Sequence, residues 1–263
     1  MSPVVPRPRA VAAMVTAALL VPLAACGNDS KKDSGEGKSD TPRTELTVLA
    51  ASSLTDVFKT AGAAYEKEHP GTKVTFSFAG SQEIAAQVKQ GAPADALVTA
   101  DTKTMDGLKA DAGRPTVIAK NRLVIATGEG NPKKIDRLED LTGSKLKVVL
   151  AAPEVPVGRY SKQVLDAQKL SVRPVSQEPN VRAVLSKVEL GEADAGIVYR
   201  TDAATATDKV DAVDIPDAQN AVASYPAATL KTSEHAAAAA AFVKWLSTPE
   251  AQKILRQAGF QKP

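Results

Sequence analysis

From Leu46 onward, short apolar runs alternate with stretches whose apolar residues recur at helical spacing, and this alternation constrains the fold more than any other feature. Leu46–Ala50 (LTVLA) reads as a buried strand. Leu54–Glu68 carries apolar residues at 54, 57, 58, 61, 64 and 65, a stripe down one helical face. His69-Pro70-Gly71 ends that helix, since Pro and Gly punctuate helix termini. Val74–Phe78 alternates as a strand, Ile84–Val88 sits on a second helix closed by Gly91 and Pro93, Ala96–Thr99 is a third strand, and Asp101 opens a third helix. Leu123–Ala126 is a further strand, and Gly128–Pro132 interrupts the chain. A second set follows: strand Lys147–Leu150, helices Arg159–Lys169 and Val181–Leu190, and strand Gly196–Tyr199. Helices His235–Leu246 and Pro249–Ala258 close the chain; the alanines at 236–241 favour helix, and Phe242, Trp245 and Leu246 supply a packing edge. Alternation of this kind predicts α/β layers with largely parallel strands, in two groups joined near residue 123 and hence in two lobes. The pattern alone leaves open whether the last two helices return to the first lobe.

Open α/β sheets bind ligands beyond the carboxyl ends of their strands. Here those ends run into Ala51-Ser52-Ser53, Ala79-Gly80-Ser81, Pro153–Gly158 and Pro179-Asn180, each followed by a helix. Four helix N-termini therefore offer unpaired backbone N–H groups and partial positive charge, which suits an anion. Serine and asparagine at such places are also routine caps; Ser53-Leu54-Thr55-Asp56 is nearly a capping box, and Asn180 reads as a cap. Asp56 and Glu83 read as first-turn charges that suit the helix dipole.

The N-terminal segment has a different character. Arg7 and Arg9 precede the apolar stretch Ala10–Val21, then Pro22, Leu23-Ala24-Ala25 and Cys26. A basic start, a short apolar run and small residues before a cleavage point predict a signal peptide over 1–25. Gly27–Thr44 is Gly, Ser, Asp and Lys with almost nothing apolar, so 26–44 is expected to be a flexible tether.

Composition excludes several functions. Lys plus Arg number 33 against 30 Asp plus Glu, a net charge of +3 that argues against a nucleic-acid footprint. The single cysteine precludes an internal disulfide framework or a multi-thiolate zinc site. The two histidines, His69 and His235, leave little for a histidine-built metal or catalytic centre. Gly80-Ser81-Gln82 invites comparison with a nucleophile turn, but Glu83 breaks the G-x-S-x-G pattern. Asp95 and Asp101 read as a strand-edge residue and a helix cap, and Trp245 as a core residue.

Several motifs together carry a family resemblance. Ala50-Ala51-Ser52-Ser53-Leu54-Thr55-Asp56, Phe78-Ala79-Gly80-Ser81, Gln90-Gly91-Ala92-Pro93-Ala94-Asp95 with Ala100-Asp101, Pro153–Gly158, Asn180-Val181-Arg182 and Gly196–Tyr199 follow in order, and Ser247–Gln252 with Gly259-Phe260 closes the set. This series resembles the periplasmic molybdate-binding proteins of ABC transporters over residues 45–263. Leu23-Ala24-Ala25-Cys26 likewise resembles the bacterial lipoprotein box, in which Cys26 is lipidated and holds the protein at the extracytoplasmic face of the cell membrane.

The resemblance implies a two-lobed periplasmic-binding-protein type II fold, with 45–122 plus 227–263 as one lobe, 123–226 as the other, and hinges near 123 and 226. It implies that Ser53 and Ser81 each give a hydroxyl and a backbone N–H to an oxyanion, Val157 and Val181 backbone N–H groups, and Tyr199 its phenol. Molybdate or tungstate is then the ligand, held without cofactor or direct metal ligand, and an ABC permease with its ATPase is the partner of a monomeric, non-enzymatic protein. Two departures stand out: Gly80 occupies a position where Ser is common, and Val157, where Ala is common, follows a turn one residue shorter than in some relatives. On the residues alone, another oxyanion or a small organic acid held by an arginine fork remains open, with Arg122, Arg159, Arg182 and Arg200 near the junctions. A secreted serine hydrolase is a more distant alternative.

Overall fold

A computed structural model describes residues 44–263. The expected signal peptide, Cys26 and nearly all of the tether lie outside the described residues. The first strand, β1 (Thr44–Ala51), ends in a single 3-10 turn, Ser52–Leu54, that leads into α1 (Thr55–Glu68). Then come β2 (Thr72–Ala79), α2 (Ser81–Lys89), β3 (Ala96–Val98) and the short α3 (Thr102–Asp106), capped by the Asp101 side chain, which accepts from Thr104 N at 3.0 Å. The long β4 (Thr116–Gly128) is followed by β5 (Val148–Ala151), α4 (Pro156–Ala167), β6 (Ser176–Glu178), α5 (Val181–Glu189) and β7 (Ala195–Tyr199). The chain continues through α6 (Arg200–Ala203), β8 (Val210–Asp214), β9 (Val222–Thr229), α7 (Ala236–Trp245) and α8 (Pro249–Gln257).

The strands pair in the order β2-β1-β3-β9-β4-β7-β5-β6, with β8 beside β4. β4 joins the two groups of strands. Thr116–Arg122 pairs with β9, whereas Leu123–Thr127 pairs with β7 and Val124–Gly128 with β8. The change of partner between Arg122 and Leu123 falls where the sequence divides into two sets of units. Pairing within the β1-β2-β3 and β5-β6-β7 groups is parallel, as the alternation predicts. Every pairing that involves β4 or β9 is antiparallel. The sheet is therefore more mixed than the sequence suggests.

Alternation along β1 places side chains in two layers. Val48 and Ala50 face α1 and the larger core, while Leu49 joins Leu97, Ile84, Val88 and Met105 beneath α2 and α3. The last two helices pack beside β1 and α1, which answers the question the pattern leaves open. Tyr65 meets Phe242 at 5.1 Å and Trp245 at 5.3 Å between ring centroids, and Trp245 donates to Glu68 Oε2 at 2.8 Å. Each such aromatic pair contributes about 0.5–1.5 kcal/mol beyond its buried area.

Three strands escape the sequence reading. β6 is only three residues long, and β8 (VDAVD) is largely exposed and charged. In β9, Pro226 removes a ladder donor and argues against a strand. It is accommodated because the β4 register shifts between Val117, opposite Pro226, and Ala119, opposite Tyr225. The first half of β4 is missed for a related reason: Lys120, Asn121 and Arg122 interrupt its apolar run.

Candidate functional site

The four strand-to-helix junctions converge on one small cavity. Ser53, Ser81, Val157, Val181 and Tyr199 all line it, with Ala51, Gly80, Ala100 and Asn180 between them, and among the described residues no charged side chain does. Ser81 and Val181 are the first residues of α2 and α5, Val157 is the second of α4 after Pro156, and Ser53 lies in the 3-10 turn. Backbone N–H groups in a first turn have no acceptor within their own helix, so they are free to serve a guest. Pro156 suits the first position because its missing N–H is one that the helix leaves unpaired.

Local packing holds these helix ends in place. A Cβ on Gly158 would run into the carbonyls of Ala151 and Ala152, so only glycine lets α4 start this close to the end of β5. Gly80 has an ordinary extended backbone, φ −62°, but a Cβ there would lie 2.5 Å from Pro179 O and from the Gln82 amide. Gln82 donates to Pro179 O at 2.7 Å, joining the β2–α2 and β6–α5 corners. Gly80 thus permits that close approach.

The three hydroxyls at the cavity differ in their partners. Ser81 Oγ accepts from Ala100 N at 3.0 Å, which leaves its proton for the cavity. Ser53 Oγ lies 2.9 Å from Tyr225 Oη and caps no helix, so the capping expectation fails for this residue: it sits inside the 3-10 turn, and α1 starts at Thr55 with Leu54 at its N-cap. Asn180 does cap, accepting from Ala183 N at 3.0 Å. The Tyr199 hydroxyl is fully buried and has no hydrogen-bond partner among the described residues. Burial, reinforced by Tyr225, Tyr160 and nearby carboxylates, pushes its phenol well above the usual range, so it stays an O–H donor.

The arginines near the junctions are all engaged elsewhere. Arg122 pairs with Asp217 and Arg200 with Asp214. Arg159 donates Nε to Asp101 Oδ2 at 3.0 Å and Nη2 to Thr104 Oγ1 at 2.9 Å. Arg182 bridges Asp202 at 2.6 Å and Asp56 at 2.8 Å. Burial disfavours its charge, but the two carboxylates outweigh that and raise its pKa. Asp56 and Asp101 thus do more than suit a dipole or cap a helix: each ties its own corner to α5 or α4. Asp202 is fully buried, and burial, only partly countered by Arg182, lifts its pKa to about 6.

Other chemistry is poorly served. Among the described residues no three His, Cys, Asp or Glu side chains gather to hold a metal ion. His235 Nδ1 lies 3.2 Å from Asp95 Oδ1, which also accepts from Ser233 Oγ at 2.6 Å. The carboxylate stands between them, and the Ser233 oxygen accepts the His235 backbone N–H, so no nucleophile–base pair forms. Burial acts to raise the Asp95 pKa, but hydrogen bonds from Ser233 and Thr47, with His235 beside it, lower it overall. His69 closes α1, stacked on Tyr65. Asn121 and Tyr225, beside Ser53, are polar neighbours that the sequence reading misses.

Comparison with known proteins agrees with this architecture. Residues 46–261 match the family model described as bacterial extracellular solute-binding protein. The chain is 42% identical over 253 residues to the molybdate-binding protein ModA of Mycobacterium tuberculosis, covering 95% of this chain and 97% of that one. A solved substrate-binding domain of a putative molybdenum ABC transporter from Clostridium difficile superposes with a TM-score of 0.63 at 28% identity, over 84% of this chain and 99% of that one. The periplasmic molybdate-binding protein of Azotobacter vinelandii gives a TM-score of 0.71 at 24% identity, over 83% and 99%, a likeness of fold. No helix of the described residues is long and apolar enough to cross a membrane.

Proposed function

The chain belongs to the bacterial extracellular solute-binding proteins, binding proteins and not enzymes, and from that premise we propose that it captures molybdate, and also tungstate, for delivery to an ABC permease and its ATPase. In this reading Ser53 and Ser81 each give a hydroxyl and an N–H, Val157 and Val181 an N–H, and Tyr199 its phenol. Cys26 carries the lipid that keeps a monomeric protein at the extracytoplasmic face. The lobes, 45–122 with 227–263 and 123–226, close over the anion about the β4–β9 pair.

One observation carries the proposal: among the described residues, a buried Tyr199 hydroxyl has no partner and opens on a cavity lined by serines and helix N-termini and by no charged side chain. A tetrahedral dianion offers only acceptors, so it satisfies this donor set completely. Hydrogen bonds to charged groups contribute about 1.5–3 kcal/mol each. Seven of them exceed the roughly 8 kcal/mol of micromolar binding, and desolvation and lost freedom consume the surplus. Hydrogen phosphate brings a donor that would face donors, a costly mismatch when buried. Sulfate matches charge and shape but is smaller, and leaves fixed donors underfilled. An organic acid would want an arginine fork, and the four candidate arginines already hold carboxylates.

A melting panel of molybdate, tungstate, sulfate, phosphate and citrate tests this. Molybdate at a hundred times its dissociation constant should add about 2.7 kcal/mol of stability. A melting curve insensitive to molybdate and tungstate but raised by citrate would transfer the function to organic acids.

A further inference from the structure

We infer that Tyr225, outside the cavity lining, is a positioning residue that sets the ligand's selectivity by turning the Ser53 hydroxyl into an obligate donor. The inference deepens the oxyanion reading and rests on it. The direction of the hydrogen bonds can be followed from the backbone outward. Asn121 Oδ1 accepts the Arg122 N–H at 2.9 Å, which fixes the orientation of the Asn121 amide. Its Nδ2 therefore faces Thr201 Oγ1 at 2.8 Å and Tyr225 Oη at 3.4 Å, and it can only donate to both. The Tyr225 oxygen, occupied as an acceptor, has its proton left for Ser53 Oγ at 2.9 Å. Ser53 Oγ, accepting from the phenol, has its own proton left for the cavity.

The relay is buried throughout: Asn121 and Tyr225 are no more than 1% exposed, and Ser53 3%. Burial raises the Tyr225 pKa, which keeps its proton in place. Its ring is clamped edge-on by Phe260 at 5.3 Å and by Tyr199 at 5.9 Å, so the phenol cannot swing away. Asn121 lies on β4, Tyr225 on β9 and Thr201 on α6, all at the place where β4 changes partners. The segment that joins the two groups of strands thus also sets the polarity of one binding hydroxyl. A serine free to rotate would instead offer a lone pair and tolerate a protonated oxyanion. A serine held as a donor rejects one.

The test is calorimetry of molybdate and phosphate at one pH on the unaltered protein, Tyr225→Phe, Ser53→Ala and the double variant. Tyr225→Phe should weaken molybdate about five- to tenfold, the worth of one oriented hydrogen bond. It should weaken phosphate less or strengthen it, so that the molybdate-to-phosphate ratio narrows. In the Ser53→Ala background Tyr225→Phe should change molybdate affinity less than twofold, because the relay then has no terminus. A purely structural role for Tyr225 would lower both anions alike and add fully to Ser53→Ala, and either result overturns the inference. If Tyr225→Phe does not fold, Asn121→Ala removes the first donor and should narrow the same ratio; an unchanged ratio there overturns the inference too. Absence of molybdate binding by the unaltered protein overturns the oxyanion reading together with this one. Binding by the unaltered protein with Tyr225→Phe identical to it overturns this inference alone.

Discussion

Replacing Tyr199 by phenylalanine should move two measurements in opposite directions. The hydroxyl is buried and makes no hydrogen bond to the described residues, so removing it breaks no protein contact. An unsatisfied buried polar group costs about 1–3 kcal/mol. Tyr199→Phe relieves part of that cost in the ligand-free protein, and water reaching the cavity offsets the rest. The free variant should therefore melt no lower than the unaltered protein, and higher by about 2–4 °C for each kcal/mol relieved. Molybdate binding loses a hydrogen bond to a charged acceptor, about 1.5–3 kcal/mol, or about 10- to 150-fold in dissociation constant. Differential scanning calorimetry without ligand reads the first effect and isothermal titration the second. A variant that melts lower while binding molybdate with unchanged affinity would show that the phenol serves the fold and not the anion, and would refute the reasoning.

Further substitutions test the rest of the site. Ser81→Ala and Ser53→Ala should each weaken molybdate by about 1–3 kcal/mol in titration calorimetry, the Ser81 change more so because it also strips Ala100 N of its acceptor. Gly158→Ala drives a methyl into the Ala151 and Ala152 carbonyls, so it should cost about 1–3 kcal/mol in chemical denaturation and weaken binding by displacing the Val157 amide. Asp202 titrates at about 6 when folded against 3.8 when unfolded, so the folded state binds its proton more readily. Its contribution favours folding below about pH 4 and is lost as pH rises through about 6, a swing on the order of 3 kcal/mol. Melting of Asp202→Asn against the unaltered protein should show the variant gaining ground between those pH values; a constant difference would mean that Asp202 titrates normally.

Much of this was legible in the sequence where one physical cause dominates. Ser53, Ser81, Val157, Val181 and Tyr199 sit at places where a strand hands over to a helix or ends, and punctuation by Gly and Pro marks most of those places. The amide role proposed for Val157 and Val181 is not visible in a valine side chain, and only the family resemblance points to it. Tyr225 and Asn121 were not legible, because β9 carries a proline and the first half of β4 carries Lys120 and Arg122. Their pairing depends on a register shift between strands about a hundred residues apart, which no local pattern encodes. Arg182 and Arg159 looked available to an acidic ligand until the fold brought Asp56, Asp202 and Asp101 to them.

The most direct measurement is isothermal titration of molybdate, and then of sulfate, into the lipid-free chain from residue 27 onward at neutral pH. The proposed set of seven neutral donors around one tetrahedral guest predicts one site of micromolar or tighter affinity for molybdate and markedly weaker binding of sulfate. No heat with molybdate, or equal affinity for the two anions, would contradict it.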